Sequence, residues 1–209
     1  MRLLIGLLLG LTAHAATPPL PKLIQEVQEK YAKVSTISAE FTQSDYSAAL
    51  DRDKKSSGNF LAKKPEKLRW ETLQPDTTLL VSDGHKYWFY TPPFDKTEHG
   101  QVVERKSSEI QSRLAHALLQ GRFSSIKGMK ITEKNPITFE LVPRKNSAGA
   151  VEKAEIQIDP KEKLIKRVKL FHTGGNRSEI ILSKVELGSE LSDDLFYFIP
   201  PPGTIQIKD

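Results

Sequence analysis

The residues of this sequence that could perform acid–base or metal chemistry are few and widely separated. The histidines are His14, His85, His99, His116 and His172, and none of them belongs to a HExxH or HxH pattern. The sequence contains no cysteine, so a zinc site would need three ligands from distant segments. We therefore predict no metal site and no cofactor.

Two carboxylate pairs, Asp51 with Asp53 and Asp193 with Asp194, have spacings that a metal site or a glycosidase could use. Both pairs lie between predicted elements, where acidic residues are common in turns. The chain also lacks the nucleophile elbow, the phosphate-binding loop and the dinucleotide fingerprint. We predict that the protein is not an enzyme, and an unrecognised hydrolase is kept as the third alternative.

The first fifteen residues have the organisation of a secretory signal peptide. Met1-Arg2 is a short basic start, Leu3–Leu11 is apolar, and Ala13-His14-Ala15 has the form of a signal peptidase site. The apolar run is shorter than the roughly 20 residues that cross a membrane. The sequence predicts cleavage after Ala15, export, and a single domain over residues 16–209.

The elements that position the remaining side chains are mostly strands. The net charge of +5 is spread along the chain in mixed order, which does not favour nucleic-acid binding. Both tryptophans lie between Phe60 and Pro93, in apolar runs separated by turn residues. Alternation places Leu68 and Trp70 on one face of a strand, because successive side chains point to opposite faces.

Asp83-Gly84 predicts a tight hairpin, and the strand that follows it is bulky on both faces. Trp88 and Tyr90 face one way, and Tyr87 and Phe89 face the other. Such a strand needs apolar cover on both faces, from the protein's own helices or from a ligand.

Two segments have helical periodicity. Lys22–Val34 is apolar at spacings of three and four, and Ser107–Gln120 begins with a Ser108–Gln111 capping box and is followed by Gly121. We expect Phe123 and Ile126 to fold over the sheet. Further strands are predicted over Thr36–Ser47, Gly58–Lys63, Val102–Val103, Lys130–Glu133, Thr138–Pro143, Val151–Asp159, Leu164–His172, Glu179–Val185 and Leu195–Ile199.

About ten strands and two helices predict one large antiparallel sheet, since sequential strands with short turns pair with each other. A sheet this wide must curl or close to satisfy its twist. Two amphipathic helices are too few to cover its apolar face, which indicates a cavity. The fold class is mainly β with a helical lid (α+β).

The order of several short segments resembles the outer-membrane lipoprotein carrier protein family, LolA, over essentially the whole chain after the signal peptide. The segments that carry the resemblance are Ser38–Gln43, Gly58–Phe60, Lys64–Glu71 with Pro75, Val81–Gly84, Tyr87–Tyr90, and Phe198 with Pro200–Gly203.

The resemblance implies an unclosed antiparallel β-barrel of about 10–11 strands, with helices forming a lid over an apolar cavity. It also implies a periplasmic chaperone that acts as a monomer, takes acylated lipoproteins from an inner-membrane ABC transporter and delivers them to an outer-membrane receptor. Family members often have Arg-Pro where this chain has Lys64-Pro65, so the resemblance implies lid control at Lys64. A lysine lacks the planar hydrogen-bonding fork of arginine.

On this hypothesis, lipid-binding side chains line the inner face of the sheet and the underside of the lid. The sheet residues are Phe41, Phe60, Leu68, Trp70, Leu80, Trp88 and Tyr90 in the first half, and Phe139, Leu141, Ile156, Ile158, Val168, Leu170, Ile180 and Leu182 in the second. The lid residues are Leu114, Leu118, Leu23 and Val27. The alternative function is a periplasmic lipid- or glycolipid-binding or sensor module, because a fold does not fix its ligand.

Overall fold

A computed structural model describes residues 19–95, 97–109, 113–125, 128–144 and 149–207. The predicted signal peptide, Gln111 of the predicted capping box, and Ile126 lie outside the described residues. The two helices are α1 (Lys22–Ala32) and α2 (Arg113–Leu119). The strands are β1 (Thr36–Ser47), β2 (Arg52–Lys63), β3 (Lys67–Gln74), β4 (Thr78–Ser82), β5 (Lys86–Thr91), β6 (Gln101–Lys106), β7 (Lys130–Asn135), β8 (Thr138–Val142), β9 (Val151–Asp159), β10 (Leu164–His172), β11 (Arg177–Leu187) and β12 (Ile205–Ile207).

All twelve strands form one sheet in the order β12-β6-β5-β4-β3-β2-β1-β11-β10-β9-β8-β7. Two meanders, β1 to β6 and β7 to β11, meet where β1 pairs with β11. Every described pairing is antiparallel except that of β12 with β6, which is parallel. Among the described residues no pairing joins β7 to β12, so the sheet is unclosed. The predicted mainly β fold with an unclosed antiparallel sheet is confirmed.

The turn residues behave as the sequence predicts. Gly84 has a φ of +97° in the β4–β5 hairpin, and Asp83 Oδ1 accepts hydrogen bonds from the backbone N–H groups of His85 and Lys86 at 2.7 and 2.9 Å. Gly121 has a φ of +65° just past α2. Its N–H donates to the Leu118 carbonyl at 2.9 Å. Both positions need the left-handed conformation that glycine adopts without strain.

Two predicted elements differ from the structure. Within the described residues, the predicted Ser107–Gln120 helix is a 3-10 turn over Ser107–Glu109 and the helix α2 over Arg113–Leu119. The predicted strand over Leu195–Ile199 is wrong. Residues Asp193–Phe196 form a 3-10 turn, and the Ser192 side chain accepts a hydrogen bond from the Asp194 N–H at its start. The last strand is β12, which the sequence did not predict.

Candidate lipid-binding site

The inner face of the sheet is built by alternate side chains of its paired strands. Register places Ala39, Phe60, Trp70 and Leu80 side by side across β1 to β4. The Phe41 and Trp70 rings stack with their centroids 4.0 Å apart, and Phe60 lies 5.7 Å from Trp70. Because directly paired residues point to the same side of a sheet, these side chains define one apolar face.

Gly58 lies between the strands that carry Phe41 and Trp70, and its lack of a side chain lets these two rings stack. Gly58 pairs with Phe41 on one side and Thr72 on the other. A Cβ at Gly58 would lie 1.8 Å from the Glu71 carbonyl oxygen. The close approach of β2 to β3 therefore requires a residue without a side chain.

The second half of the sheet continues the same face. Register aligns Phe41 with Leu182 and Val168 with both Ile180 and Ile156. Each predicted site residue of this half is at most 5% exposed. The inward residues of both halves belong to a single core cluster, which joins them to the helices. These residues are Phe139, Leu141, Ile156, Ile158, Val168, Leu170, Ile180 and Leu182.

Both helices cover this face with their apolar sides. From α1, Ile24, Val27 and Tyr31 are buried, and Leu23 is half-buried against the same cluster. From α2 and the segment after it, the buried residues include Leu114, Leu118, Leu119 and Phe123. The prediction that Phe123 folds over the sheet is confirmed.

The helices do cover the part of the apolar face that belongs to the core cluster, so the prediction that two helices are too few is wrong for this part. Inward side chains from both halves of the sheet share one cluster, so the sheet covers much of its own face. Phe123 and the partly buried Met129 add cover that helix counting did not include. An apolar ligand on this part of the face must therefore displace the helices.

The prediction that Trp88 and Tyr90 share a face with Trp70 is wrong. Trp70 pairs with Leu80, and Leu80 pairs with Phe89. Phe89 is thus the inward residue of β5, while Trp88 and Tyr90 point to the outer face. Alternation separated these two pairs of side chains correctly but did not say which pair was inward.

A second, smaller cluster covers the outer face of β4 to β6. Its buried members are Val81, Trp88 and Val102. The Tyr197 ring lies 5.5 Å from the Trp88 ring at 75°, and Phe198 lies 5.0 Å from Tyr90. The segment predicted to be a last strand therefore packs on the outer face, where it supplies the cover that Trp88 and Tyr90 need.

The side chain of Lys64, the residue predicted to control the lid, reaches from the β2–β3 turn to α1. Its ammonium group donates a hydrogen bond to the Tyr31 carbonyl oxygen in the last turn of α1. Burial lowers the pKa of Lys64 below its ordinary 10.5, and the nearby Arg122 guanidinium lowers this pKa further. Arg122 itself donates to the Pro65 carbonyl at 3.4 Å. The turn between β2 and β3 is therefore linked to both helical segments.

Other contacts of α1 join it to the β9–β10 turn and to the segment after α2. The Tyr31 hydroxyl accepts a hydrogen bond from the Ile165 N–H at 3.1 Å, and burial raises the pKa of Tyr31 to about 12. Lys163 forms an ion pair with Glu26 at 2.6 Å. Gln28 Oε1 accepts hydrogen bonds from the N–H and hydroxyl of Ser124 at 2.9 and 2.7 Å.

The candidate catalytic groups have ordinary structural partners. Asp51 accepts a hydrogen bond from the Tyr46 hydroxyl at 2.8 Å. Asp193 forms ion pairs with Lys63 and Lys67 at 2.7 and 3.1 Å. Within the described ranges no three histidine or acidic side chains are grouped to hold a metal ion. In the same part of the chain, no helix has the length and apolar character needed to span a membrane.

A groove of about 670 Å³ lies away from the apolar face. Its lining includes Thr42, Ser57, Lys55 and Glu179 together with the half-exposed Ile181. Thr42 pairs with both Ser57 and Ile181, and it follows the inward Phe41 in sequence, so these side chains point outward. Eight of its ten lining residues are polar or charged, and the groove is not part of the candidate site.

An unclosed sheet with an apolar inner face covered by helices defines the class of half-barrel proteins that can enclose an apolar ligand. Comparison with known proteins gives the family. This chain belongs to the outer membrane lipoprotein carrier protein LolA family, whose sequence model matches residues 32–199.

Individual relatives agree with this assignment. The chain is 28% identical over 200 residues to an outer-membrane lipoprotein carrier protein of Dechloromonas aromatica, covering 94% of this chain and 89% of the relative. It is also 28% identical over 218 residues to the protein of the same description from Azotobacter vinelandii, with both chains fully covered. An uncharacterised conserved protein of Thermus thermophilus has a similar fold, with a TM-score of 0.53, 13% identity, and coverage of 88% of this chain and 97% of that one.

Proposed function

We propose that this protein is a periplasmic chaperone that binds the acyl chains of lipoproteins released from the inner membrane and carries them to the outer membrane. The observation that carries the proposal is the continuous apolar inner face of an unclosed sheet, covered by two short helices. Membership of the carrier family supports it. No chemical step is required, because binding and release accomplish the transfer.

Energetics explain why such a carrier is needed. Burying one methylene group is worth about 0.8 kcal/mol, so three chains of roughly 15 methylenes cost about 36 kcal/mol to expose to water. Non-covalent affinity saturates near 20 kcal/mol. The carrier therefore needs to cover the chains only in part, so that a membrane or a receptor can take them back.

The helices suit an exchange of this kind. At eleven and seven residues, α1 and α2 are too short to be stable in isolation and depend on packing against the sheet. When acyl chains replace them on the inner face, apolar contact is exchanged for apolar contact. The inner-face residues Phe41, Phe60, Leu68, Trp70 and Leu80 then serve, with their partners on β8 to β11, as the lipid-binding surface.

The proposal includes the route and the partners of the protein. After cleavage behind Ala15, residues 16–209 act as one domain in the periplasm. An inner-membrane ABC transporter supplies the cargo, and an outer-membrane receptor accepts it. Lys64 controls the lid through its bond to α1, and the protein performs no catalysis.

Co-elution with a synthetic lipopeptide tests the proposal. The purified protein is mixed with a triacylated lipopeptide, or with the same peptide without acyl chains, and passed over a sizing column. We expect only the triacylated peptide to co-elute, and we expect a diacyl phospholipid to compete poorly. Failure of the triacylated peptide to bind overturns the proposal, and equal binding of the phospholipid favours a general lipid-binding module instead.

A further inference from the structure

Five apolar side chains lie side by side across the strands at one end of the sheet. Register pairs Trp70 with Leu80, Leu80 with Phe89, Phe89 with Val103, and Val103 with Ile207. Directly paired residues share a face, so these five side chains form one row, here called the apolar row. It starts inside the core cluster at Trp70 and ends on β12 at the sheet edge.

Exposure differs along the apolar row: Phe89 and Ile207 are exposed, whereas Trp70, Leu80 and Val103 are partly buried. Trp70 and Leu80 are partly buried against the core cluster. Phe89 and Ile207 are each 42% exposed, and the neighbouring Ile205 is 50% exposed. Single exposed apolar side chains are common on protein surfaces, but a contiguous set indicates a binding surface. Among the described residues, the inward Phe89 of β5 thus has less cover than the outward Trp88 and Tyr90, which pack against Tyr197 and Phe198.

The dimensions of the row suit one alkyl chain. Four spacings between neighbouring strands make it about 19 Å long. One acyl chain occupies half of a bilayer's hydrocarbon core, or about 15 Å. The row is also narrow, since the apolar or aromatic side chains beside it on the same face are Leu68 and Ile205 at its two ends and Tyr87 near its middle. Thr78 and Thr91 border it on one side and Ser82 and Tyr87 on the other, as the same strand pairings require.

A protein partner is a poorer fit to this shape. An amphipathic helix presents an apolar stripe several side chains wide along its whole length, whereas the row reaches a width of two apolar or aromatic side chains only beside Leu68, Tyr87 and Ile205. None of its five members carries a charge that could bind a headgroup or an acidic peptide. Continuity with the covered inner face also favours the ligand of that face.

We propose that one acyl chain of the cargo lies along the apolar row, while the remaining chains occupy the inner face after the helices are displaced. This inference rests on the proposed carrier function. Phe89 and Ile207 are exposed while α1 and α2 are in place, so this end of the row provides the first contact for an arriving acyl chain. The positions that determine this contact are Phe89, Val103 and Ile207.

Fluorescence quenching by a stearic acid brominated at mid-chain locates the bound acyl chain relative to tryptophan reporters in the protein. The protein has two tryptophans. Trp88→Phe therefore leaves Trp70 as a reporter on the row, and Trp70→Phe leaves Trp88 as a reporter on the outer face. A third reporter, Phe89→Trp, is placed in a protein carrying both changes. We expect quenching of the reporters at positions 70 and 89 and none of Trp88. Quenching at position 70 without quenching at 89 overturns the proposal.

A matched pair of variants measures the contribution of the row. Phe89→Asp changes a half-exposed phenylalanine on the row, and Phe94→Asp changes a phenylalanine that is 90% exposed in the β5–β6 loop. Loss of one aromatic contact is expected to raise the Kd for the brominated stearic acid about tenfold in the first variant. The second variant should bind like the unmodified protein. Ile207→Asp, at the exposed edge, repeats the test if Phe89→Asp does not fold.

The outcomes separate this inference from the proposed function. If the unmodified protein does not bind the triacylated lipopeptide, the carrier function itself fails. If it binds the lipopeptide but neither Phe89→Asp nor Ile207→Asp weakens binding of the brominated stearic acid, the row is not an acyl site and the carrier function stands. Loss of self-association in these variants, with unchanged binding of the stearic acid, would identify the row as a contact between protein copies and also overturn the inference.

Discussion

His116 on α2 is a partly buried imidazole whose surroundings oppose its protonation. Burial lowers the pKa of His116 from 6.5 to about 4, and the positive charge of Arg122 adds to this effect. The carboxylates of Glu26, Glu140 and Asp193 also have lowered pKa values, which are caused first by hydrogen bonds from lysines. The histidine and the carboxylates therefore lose their contributions to the free energy of unfolding in different pH ranges.

We predict that the free energy of unfolding falls by about 2 kcal/mol between pH 6.5 and pH 5 because of His116. In this range the unfolded chain binds a proton at His116 and the folded chain does not. The carboxylates remain ionised in both states, so their contribution is lost only at lower pH. Urea unfolding at pH 6.5 and pH 5 measures the change.

The control for this prediction is a second histidine. His116→Gln should remove the loss of stability between these two pH values, whereas His85→Gln, at an exposed turn, should retain it. An equal pH dependence in the unmodified protein and His116→Gln would contradict the assignment.

The helix α1 is held near its C-terminal end by contacts with neighbouring turns. Its first residue follows Pro21, which provides no side-chain cap. Lys64 donates to the Tyr31 carbonyl near its end, and Lys30 donates to the Glu162 carbonyl at 2.6 Å. A short helix without an N-cap side chain depends on such contacts, which makes α1 suited to opening.

We predict that Lys64→Met increases hydrogen exchange of the α1 amides about tenfold, because one charged hydrogen bond to the helix is lost while the aliphatic stem is retained. The same variant should load the triacylated lipopeptide faster. Mass-spectrometric hydrogen exchange over α1 measures the first effect.

Lys33→Met is the matched control for the loss of positive charge near the end of α1. Lys33 is exposed and follows the same helix end. Exchange that increases equally in both variants would show that charge near the helix end, rather than the bond to Tyr31, holds α1 in place.

The whole molecule combines an apolar inner face, a movable helical cover and a row that stays exposed. Gly121, just past α2, packs closely against Tyr31 of α1. A Cβ at Gly121 would lie only 2.8 Å from the Tyr31 side chain. Ser124 also donates to Gln28 across the same contact. Displacement of α1 is therefore expected to involve the segment after α2.

We predict that a crosslink between α1 and the β9–β10 turn prevents loading of the triacylated lipopeptide, because it holds the helix over the inner face. Glu26 and Lys163 form an ion pair at 2.6 Å, and the absence of cysteine from the chain allows Glu26→Cys with Lys163→Cys to be joined by a bis-maleimide. Co-elution before and after crosslinking is the measurement.

The control crosslink joins Lys54→Cys to Asp76→Cys, which replaces another surface ion pair, at 3.7 Å. Lipopeptide loading should survive this control. Quenching of the position 89 reporter by brominated stearic acid should survive both crosslinks, since Phe89 is exposed while α1 and α2 are in place. Normal lipopeptide loading with α1 crosslinked would refute the need for helix displacement.

Local sequence signals identified most of the elements. Gly84 and Gly121 marked a hairpin and a helix end, and alternation separated Leu68 and Trp70 from Arg69. The helix predicted over Ser107–Gln120 was only partly right, since Ser107–Glu109 form a 3-10 turn. Periodicity did not reveal the 3-10 turn at Asp193–Phe196, where the Ser192 side chain bonds the backbone.

The sequence by itself determined which side chains of a strand lie on the same face, because strand geometry alternates at every residue. It thereby established that β5 has two apolar faces. Only the tertiary structure decided that Phe89 points inward and Trp88 outward. That choice depends on the register between β4 and β5, and a shift of one residue would exchange the two faces. The parallel pairing of β12 with β6, which completes the apolar row, is likewise a long-range contact that no local pattern encodes.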